Sequence, residues 1–240
     1  MRQKAWGLIA VMLIFNIVWS LRLWTEGTSP VHAATTEEPA PSLMELYTLF
    51  NQPGPLWLSG VDLRELNLAG IDLAEAQLRD ADLSAANLSG ANLMGANLVL
   101  ANLNHALLIE TNLHMADLAL TDLGGASLQA ADLTGARLEG ANLQGASLHS
   151  TILAGVDLQV SNLGRAVLHR ANLEEANLAG TNLRNADLRQ ANLSRANLSS
   201  VNLEGANLED ANLHQASYNR ITVWPSGFDP AAAGAVLVEE

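Results

Sequence analysis

The sequence of 240 residues has no cysteine, few aromatics and few basic residues, and each shortage excludes something. Without cysteine there are no disulfides, thiolate metal ligands or cysteine nucleophiles, and cysteine usage leaves the redox compartment open. Aromatic residues make up 4% of the chain against 49% hydrophobic, so the apolar content comes from alanine and leucine and a conventional mixed core is not expected. The 12 basic residues are outnumbered by 25 acidic ones, giving a net charge of −13. Direct binding of nucleic acid is a poor reading of such a chain, because affinity for a phosphate backbone comes from Lys and Arg. No Ser-His-Asp grouping, phosphate loop or H-E-x-x-H spacing is present. The expectation is a protein without enzymatic activity and without a cofactor.

What is there begins with an apolar run. Arg2 and Lys4 precede Ala5 to Leu21, interrupted only by Asn16 and Ser20 and closed by Arg22. As a helix it spans roughly 25 Å, slightly short of the hydrocarbon core. Residues 1–24 are therefore a signal peptide or an N-terminal transmembrane anchor. Val31-His32-Ala33 supplies small residues for cleavage, and Trp6, Trp19 and Trp24 sit where interfacial aromatics of an anchor would lie. Both readings export everything after Trp24, and the membrane is a partner if the segment stays uncleaved. Residues 25–41, rich in Thr, Ala, Glu and Pro, read as a flexible linker. Residues 42–57 read as an N-terminal capping helix and turn: Ser42 and Glu45 stand in capping-box relation, and Pro53 to Pro55 end the helix.

A period of five governs residues 58–218. Leucine recurs at every fifth position from Leu58 to Leu213 without a gap, preceded at two residues' distance by a small or β-branched residue, usually alanine. Across the 31 positions between them, from Asp62 to Asn212, stand sixteen Asn and eight Asp. Five residues fit neither the 3.6 of a helix nor the 2 of a strand, so the chain turns once in every unit. The physical solution is a square coil of four units, 20 residues, with Leu and the small residue inward. Such a narrow column has no room for rings, and no Trp, Tyr or Phe occurs between Leu58 and Ser217. Eleven glycines, from Gly60 to Gly205, stand two residues after Leu, where a corner needs positive φ. Asn and Asp suit turns through hydrogen bonds to nearby backbone.

These repeats, in units such as ANLSG, ADLTG and ANLQG, resemble the pentapeptide-repeat family. The resemblance implies an all-β fold, a right-handed quadrilateral β-helix of about eight coils with short N- and C-terminal capping helices. Residues 219–240 read as the C-terminal cap: Trp224 and Phe228 can cover the open apolar end, with Asp229 and Pro230 starting a short helix. The stretch from Leu46 to Asp62 looks like the lead-in of exported cyanobacterial members, without their cysteines. That likeness implies the periplasm or the thylakoid lumen.

Residues 20 apart fall on neighbouring coils, so the surface reads as columns. His149 and His169 share one column, with Arg170 and Arg189 adjacent, but no nearby carboxylate in that column completes a metal ligand set, so they read as exposed polar surface. His105 and His114 lie on different sides. Asp62, Asp82 and Asp122 share a column and read as turn stabilisers, not as ligands of a cation. Several outward positions are apolar: Val99, Leu100, Leu120 and Val160 on one side, with Ala119 among them; Leu107, Ile109 and Val167 on another; and Met115. They form the candidate protein-interaction surface. The function expected is a noncatalytic scaffold on the non-cytoplasmic side of a membrane, with a protein partner that the sequence does not identify. The alternative is an acidic DNA-mimic rod binding a type II topoisomerase, as the resemblance implies for some members. From Leu58 to Tyr218 there are 18 acidic residues against 8 Arg, a net of −10. Five of those Arg, from Arg165 to Arg195, break up the acidic surface.

Overall fold

The computed structural model describes residues 55–238. The chain divides into two units, Met1–Leu56 and Trp57–Glu240, and the repeats lie in the second. The expected signal or anchor segment, the linker and the helix after Ser42 lie outside the described residues. Among the described residues no helix is long and apolar enough to cross a membrane.

Each pentapeptide makes a short extended stretch and one turn. The turn is closed by a hydrogen bond from the backbone N–H three residues after Leu to the Leu carbonyl, as from Ala76 to Leu73 at 3.1 Å. Its second central residue has positive φ, 59° at Glu75, while the first does not, which is the pattern of a type II turn. The carboxylate or amide oxygen before Leu accepts the N–H after it, as Asp82 Oδ1 does from Ser84 at 3.0 Å. These two local bonds explain why Asn and Asp recur at that place. The glycines stand at these corners as expected, with Gly140 at φ 66°. The finding beyond that expectation is that the corner is left-handed at all 32 units, 21 of which carry a residue other than glycine. Coil closure imposes the conformation whatever side chain is present.

Four such units bring the chain above its own start. The bridges are parallel and pair residues 20 apart, from Trp57 with Gln77 through Asn197 with Ser217. Backbone bonds alternate upward and downward: Leu63 N–H donates to the Asp82 carbonyl at 2.7 Å, and Asp82 N–H donates to the Val61 carbonyl at 3.0 Å. Every unit's Leu is buried, and so are most of the small residues two before it. The column is thus mainly leucine and alanine, and each leucine contributes about 1.5–3 kcal/mol on burial. Where threonine replaces the small residue, its hydroxyl donates to a leucine carbonyl of the coil below, as from Thr121 to Leu98 at 2.8 Å. In the first coil the bulkier Val61, Leu66 and Ile71 stay half-buried.

Outside the column the asparagines form ladders with a direction. Asn162 Nδ2 donates to Asn142 Oδ1 at 3.2 Å, and Asn182 Nδ2 donates to Asn162 Oδ1 at 2.8 Å. Each Oδ1 is committed to its own turn, so Nδ2 is left for the preceding coil. Aspartate, which only accepts when ionised, serves as the lower member: Asp122 accepts from Asn142 at 2.8 Å and Asp82 from Asn102 at 3.1 Å.

The C-terminal end departs from expectation. Among the described residues no helix forms there; instead Asp229 Oδ1 accepts the Ala232 N–H at 3.1 Å, and the Ala233 N–H reaches the Asp229 carbonyl at 3.2 Å. That single capped turn ends at Gly234, with φ 87°, too soon for a helix to propagate. The chain then forms strand β2 (Val236–Leu237), parallel to β1 (Ser217–Tyr218). The register changes on the way: Val223 pairs with Asn202, one residue more than a full coil, and Val236 with Ser217, one residue fewer. Tyr218, Trp224 and Phe228 cluster, with ring centres 5.4 and 5.3 Å apart. The aromatics excluded from the column gather where the square coil stops.

Candidate interaction surface

Exposed apolar side chains are concentrated at the corner two residues after Leu on one side of the coil. Leu100, Leu120 and Val160 stand there in one column and are 42%, 57% and 65% exposed. Between and beyond them the column holds Gly140 and Gly180. The side chain of Leu120 lies across Gly140, with Cδ2 2.8 Å from where a β-carbon would be, and Val160 Cγ1 lies 3.2 Å from the same place on Gly180. The glycines therefore do not interrupt the strip; their neighbours cover them. Val99 and Ala119, one residue earlier on the same side, are half-buried. Charged pairs border the strip, Arg79 with Asp80 at 3.3 Å and Arg137 with Asp117 at 2.9 Å, so an apolar centre has a polar rim.

This corner shares its left-handed backbone with every other corner of the coil, and what sets it apart is the bulk and exposure of its side chains. Val160 is held at φ 51°, Leu100 at 62° and Leu120 at 59°. A left-handed conformation is costly for a bulky residue and most so for a β-branched one, and such strain is of order 1–3 kcal/mol per residue.

The other candidates are spread out. Leu107, Ile109 and Val167 are exposed on a second side, but Ser127 and Ser147 separate Leu107 from Val167 in their column. Met115 is exposed on a third side, its sulfur lying over Gly135. Met94 and Ile152, which were not among the expected surface residues, are exposed on that side as well. The 20-residue register, applied to every outward position, would have found both. The candidate residues thus occupy three sides, and only the Leu100 column makes a continuous strip.

The polar columns match their expected roles in part. Asp62, Asp82 and Asp122 each accept the backbone N–H two residues on, at 3.1, 3.0 and 3.0 Å. Arg64 forks onto Asp62 and holds its carboxyl below the ordinary carboxylate range; Arg189 does the same to Asp187. Among the described residues no group of three or more His, Cys, Asp or Glu is arranged to hold a metal ion. A shallow polar recess of about 330 Å³ opens over Gly164, lined by Asn162, Arg165, Asn182 and Arg184. His149 and His169, expected as exposed polar surface, are half-buried, with ring centres 5.1 Å apart.

Fold and surface together define a parallel β-solenoid with four turns per coil. The pentapeptide repeats family matches in eight copies, over residues 58–95, 86–125, 121–159, 151–190, 161–199 and 191–217. The chain belongs to the pentapeptide repeat family, and its solenoid is a right-handed β-helix. It is similar to HetL, a pentapeptide repeat protein involved in heterocyst differentiation regulation in the cyanobacterium Nostoc, at 34% identity over 67% of this chain and 81% of that one, with TM-score 0.37. It also resembles Rfr23 of the cyanobacterium Cyanothece, at 45% identity over 39% of this chain and 63% of that one, with TM-score 0.39. QnrB1, a plasmid-mediated fluoroquinolone resistance protein, shares the fold, at 19% identity over 76% of this chain and 91% of that one, with TM-score 0.56. No curated protein matches the chain.

Proposed function

We propose that this chain is a noncatalytic scaffold that docks a protein partner through the corner of Leu100, Leu120 and Val160. One observation carries the reading: the bulky apolar side chains of Leu100, Leu120 and Val160 stand exposed in one column of the coil. Drift in a tolerant repeat scatters apolar residues among the columns, whereas a docking surface aligns them. The 32 pentapeptides, four to a coil, make a rod of about eight coils and roughly 38 Å, long enough to present such a strip.

The apolar run from Ala5 to Leu21 supports export, with the rod on the non-cytoplasmic side of a membrane, tethered to it or released into the periplasm or thylakoid lumen. The acidic DNA-mimic reading is weaker. Six of the eight Arg of the rod are paired with its carboxylates, so basic groups interrupt the acidic surface at six places.

The test is proximity labelling from a C-terminal tag in the native cell, comparing the wild type with the Leu100→Ser/Leu120→Ser double variant. The expected result is loss of a defined set of labelled neighbours with an unchanged thermal midpoint. An unchanged set of neighbours, or a lowered midpoint, refutes the docking role. Protection of the tag from protease in the cytosolic fraction refutes export.

A further inference from the structure

We propose that His149 and His169 form a two-imidazole site for a borderline divalent transition ion of the Zn²⁺, Ni²⁺ or Cu²⁺ class, with the outer coordination positions left to water. This inference is independent of the docking corner, which lies on another side of the coil. The two residues follow Leu148 and Leu168, whose backbones are locked into successive coils by the bond from Leu148 N–H to the Val167 carbonyl at 2.7 Å. The solenoid thus fixes their spacing before any ion binds. Their ring centres are 5.1 Å apart and the planes are inclined by 43°. Two imidazoles bound through nitrogen to one tetrahedral ion, at 2.0–2.1 Å each, have ring centres about 5 Å apart. The observed separation matches that value, and a spacing fixed by the coils lowers the cost of bringing the two side chains together.

A second feature comes from the residue one coil below His149 in the same column. Gln129 donates through Nε2 to Ser147 Oγ at 2.8 Å, but its buried Oε1 has no hydrogen-bond partner. A ligating histidine characteristically gives its other ring N–H to a carbonyl or carboxylate, which fixes the tautomer. Gln129 Oε1 is an acceptor of that kind, without a partner and one coil from His149 in the same column. Of the two cations beside the pair, Arg189 is offset by a carboxylate and Arg170 bonds a neutral amide. Arg189, next above His169, is forked onto Asp187 at 2.8 and 2.7 Å, and Arg170 donates to Gln190 Oε1 at 2.9 Å. Glu209 follows Arg189 in the column. Imidazole with water suits borderline ions, and the affinity order puts Cu²⁺ first. With only two protein ligands the ion keeps open positions, so a donor from a docked partner can complete it.

The test uses the full chain. Calorimetric titration with Zn²⁺ at pH 7.5 is expected to show one equivalent bound, and Cu²⁺ to give an electron paramagnetic resonance spectrum with two-nitrogen coupling. His149→Ala and His169→Ala should each weaken Zn²⁺ binding at least about tenfold with an unchanged thermal midpoint. Gln129→Leu should weaken it about tenfold while leaving both ligands in place. His105→Ala and His114→Ala should leave it unaltered. Absence of stoichiometric Zn²⁺ binding, or equal uptake by the His149→Ala/His169→Ala double variant, overturns the proposal.

Discussion

Replacing Asn162 by Asp tests whether the asparagine ladders run in one direction. In the native coil Asn162 Oδ1 accepts the Gly164 N–H at 3.2 Å and Asn182 Nδ2 at 2.8 Å, while its own Nδ2 donates to Asn142 Oδ1 at 3.2 Å. Asn162→Asp keeps both accepted bonds and loses the donated one, setting a carboxylate against an oxygen. The lost bond costs about 0.5–1.5 kcal/mol, and repulsion at a half-buried site adds to it, for a total of about 1–2 kcal/mol at pH 7. Only the protonated carboxyl can donate to Asn142, so that bond is recovered only as pH falls into the carboxylate range. The deficit is therefore full at pH 7 and shrinks as pH falls toward about 4. Urea denaturation of wild type and variant at the two pH values reads this directly, as a shift in midpoint. The opposite exchange, Asp122→Asn, retains an acceptor for Asn142 and Gly124 and gains a donor toward Asn102, so it should be neutral or stabilising. Equal losses in the two variants, or a loss in Asn162→Asp that does not change with pH, would refute the directional ladder.

Further expectations follow from the column, the corners and the ion pairs. Leu128→Ala, at a site with no exposure in mid-column, should cost about 2–5 kcal/mol in urea denaturation; a loss under 1 kcal/mol would mean the coil collapses around the cavity. Val160→Gly removes a β-branched residue at φ 51° and should raise the thermal midpoint, corresponding to about 1 kcal/mol, while diminishing partner labelling. A lowered midpoint would show that Val160 packs against the coil. Arg189 holds the Asp187 carboxyl below its ordinary range, so the pair's contribution is present above the unfolded carboxylate pKa and is lost as pH falls through the lower folded value. Arg189→Gln should thus reduce stability near neutral pH and make no difference in strong acid; a difference that persists there would point to packing by the Arg189 stem.

The period of five exposed the repeat because every decisive interaction within a unit is local. The turn bond spans three residues and the Asn or Asp bond two, so a single pentapeptide carries the information for its own shape. Leucine inward, rings excluded and glycine at corners were legible for that reason. The left-handed corners at Leu100, Leu120 and Val160 were not, because nothing in those residue types favours positive φ. The C-terminal helix was expected from Asp229 and Pro230, which do cap a turn. What the cap signal lacks is length, since Gly234 ends the turn and the chain finds a better partner in β1.

The sequence alone determined the unit, the inward column and the family, since these rest on contacts between residues at most three apart. The tertiary structure decided what passes between coils: the direction of the asparagine ladders, the cover that Leu120 and Val160 give to Gly140 and Gly180, and the 5.1 Å between His149 and His169. It also decided the shifts of register at Val223 and Val236. Those features depend on which atoms meet across 20 residues of chain, and that is fixed only when the backbone bonds of one coil close upon the next.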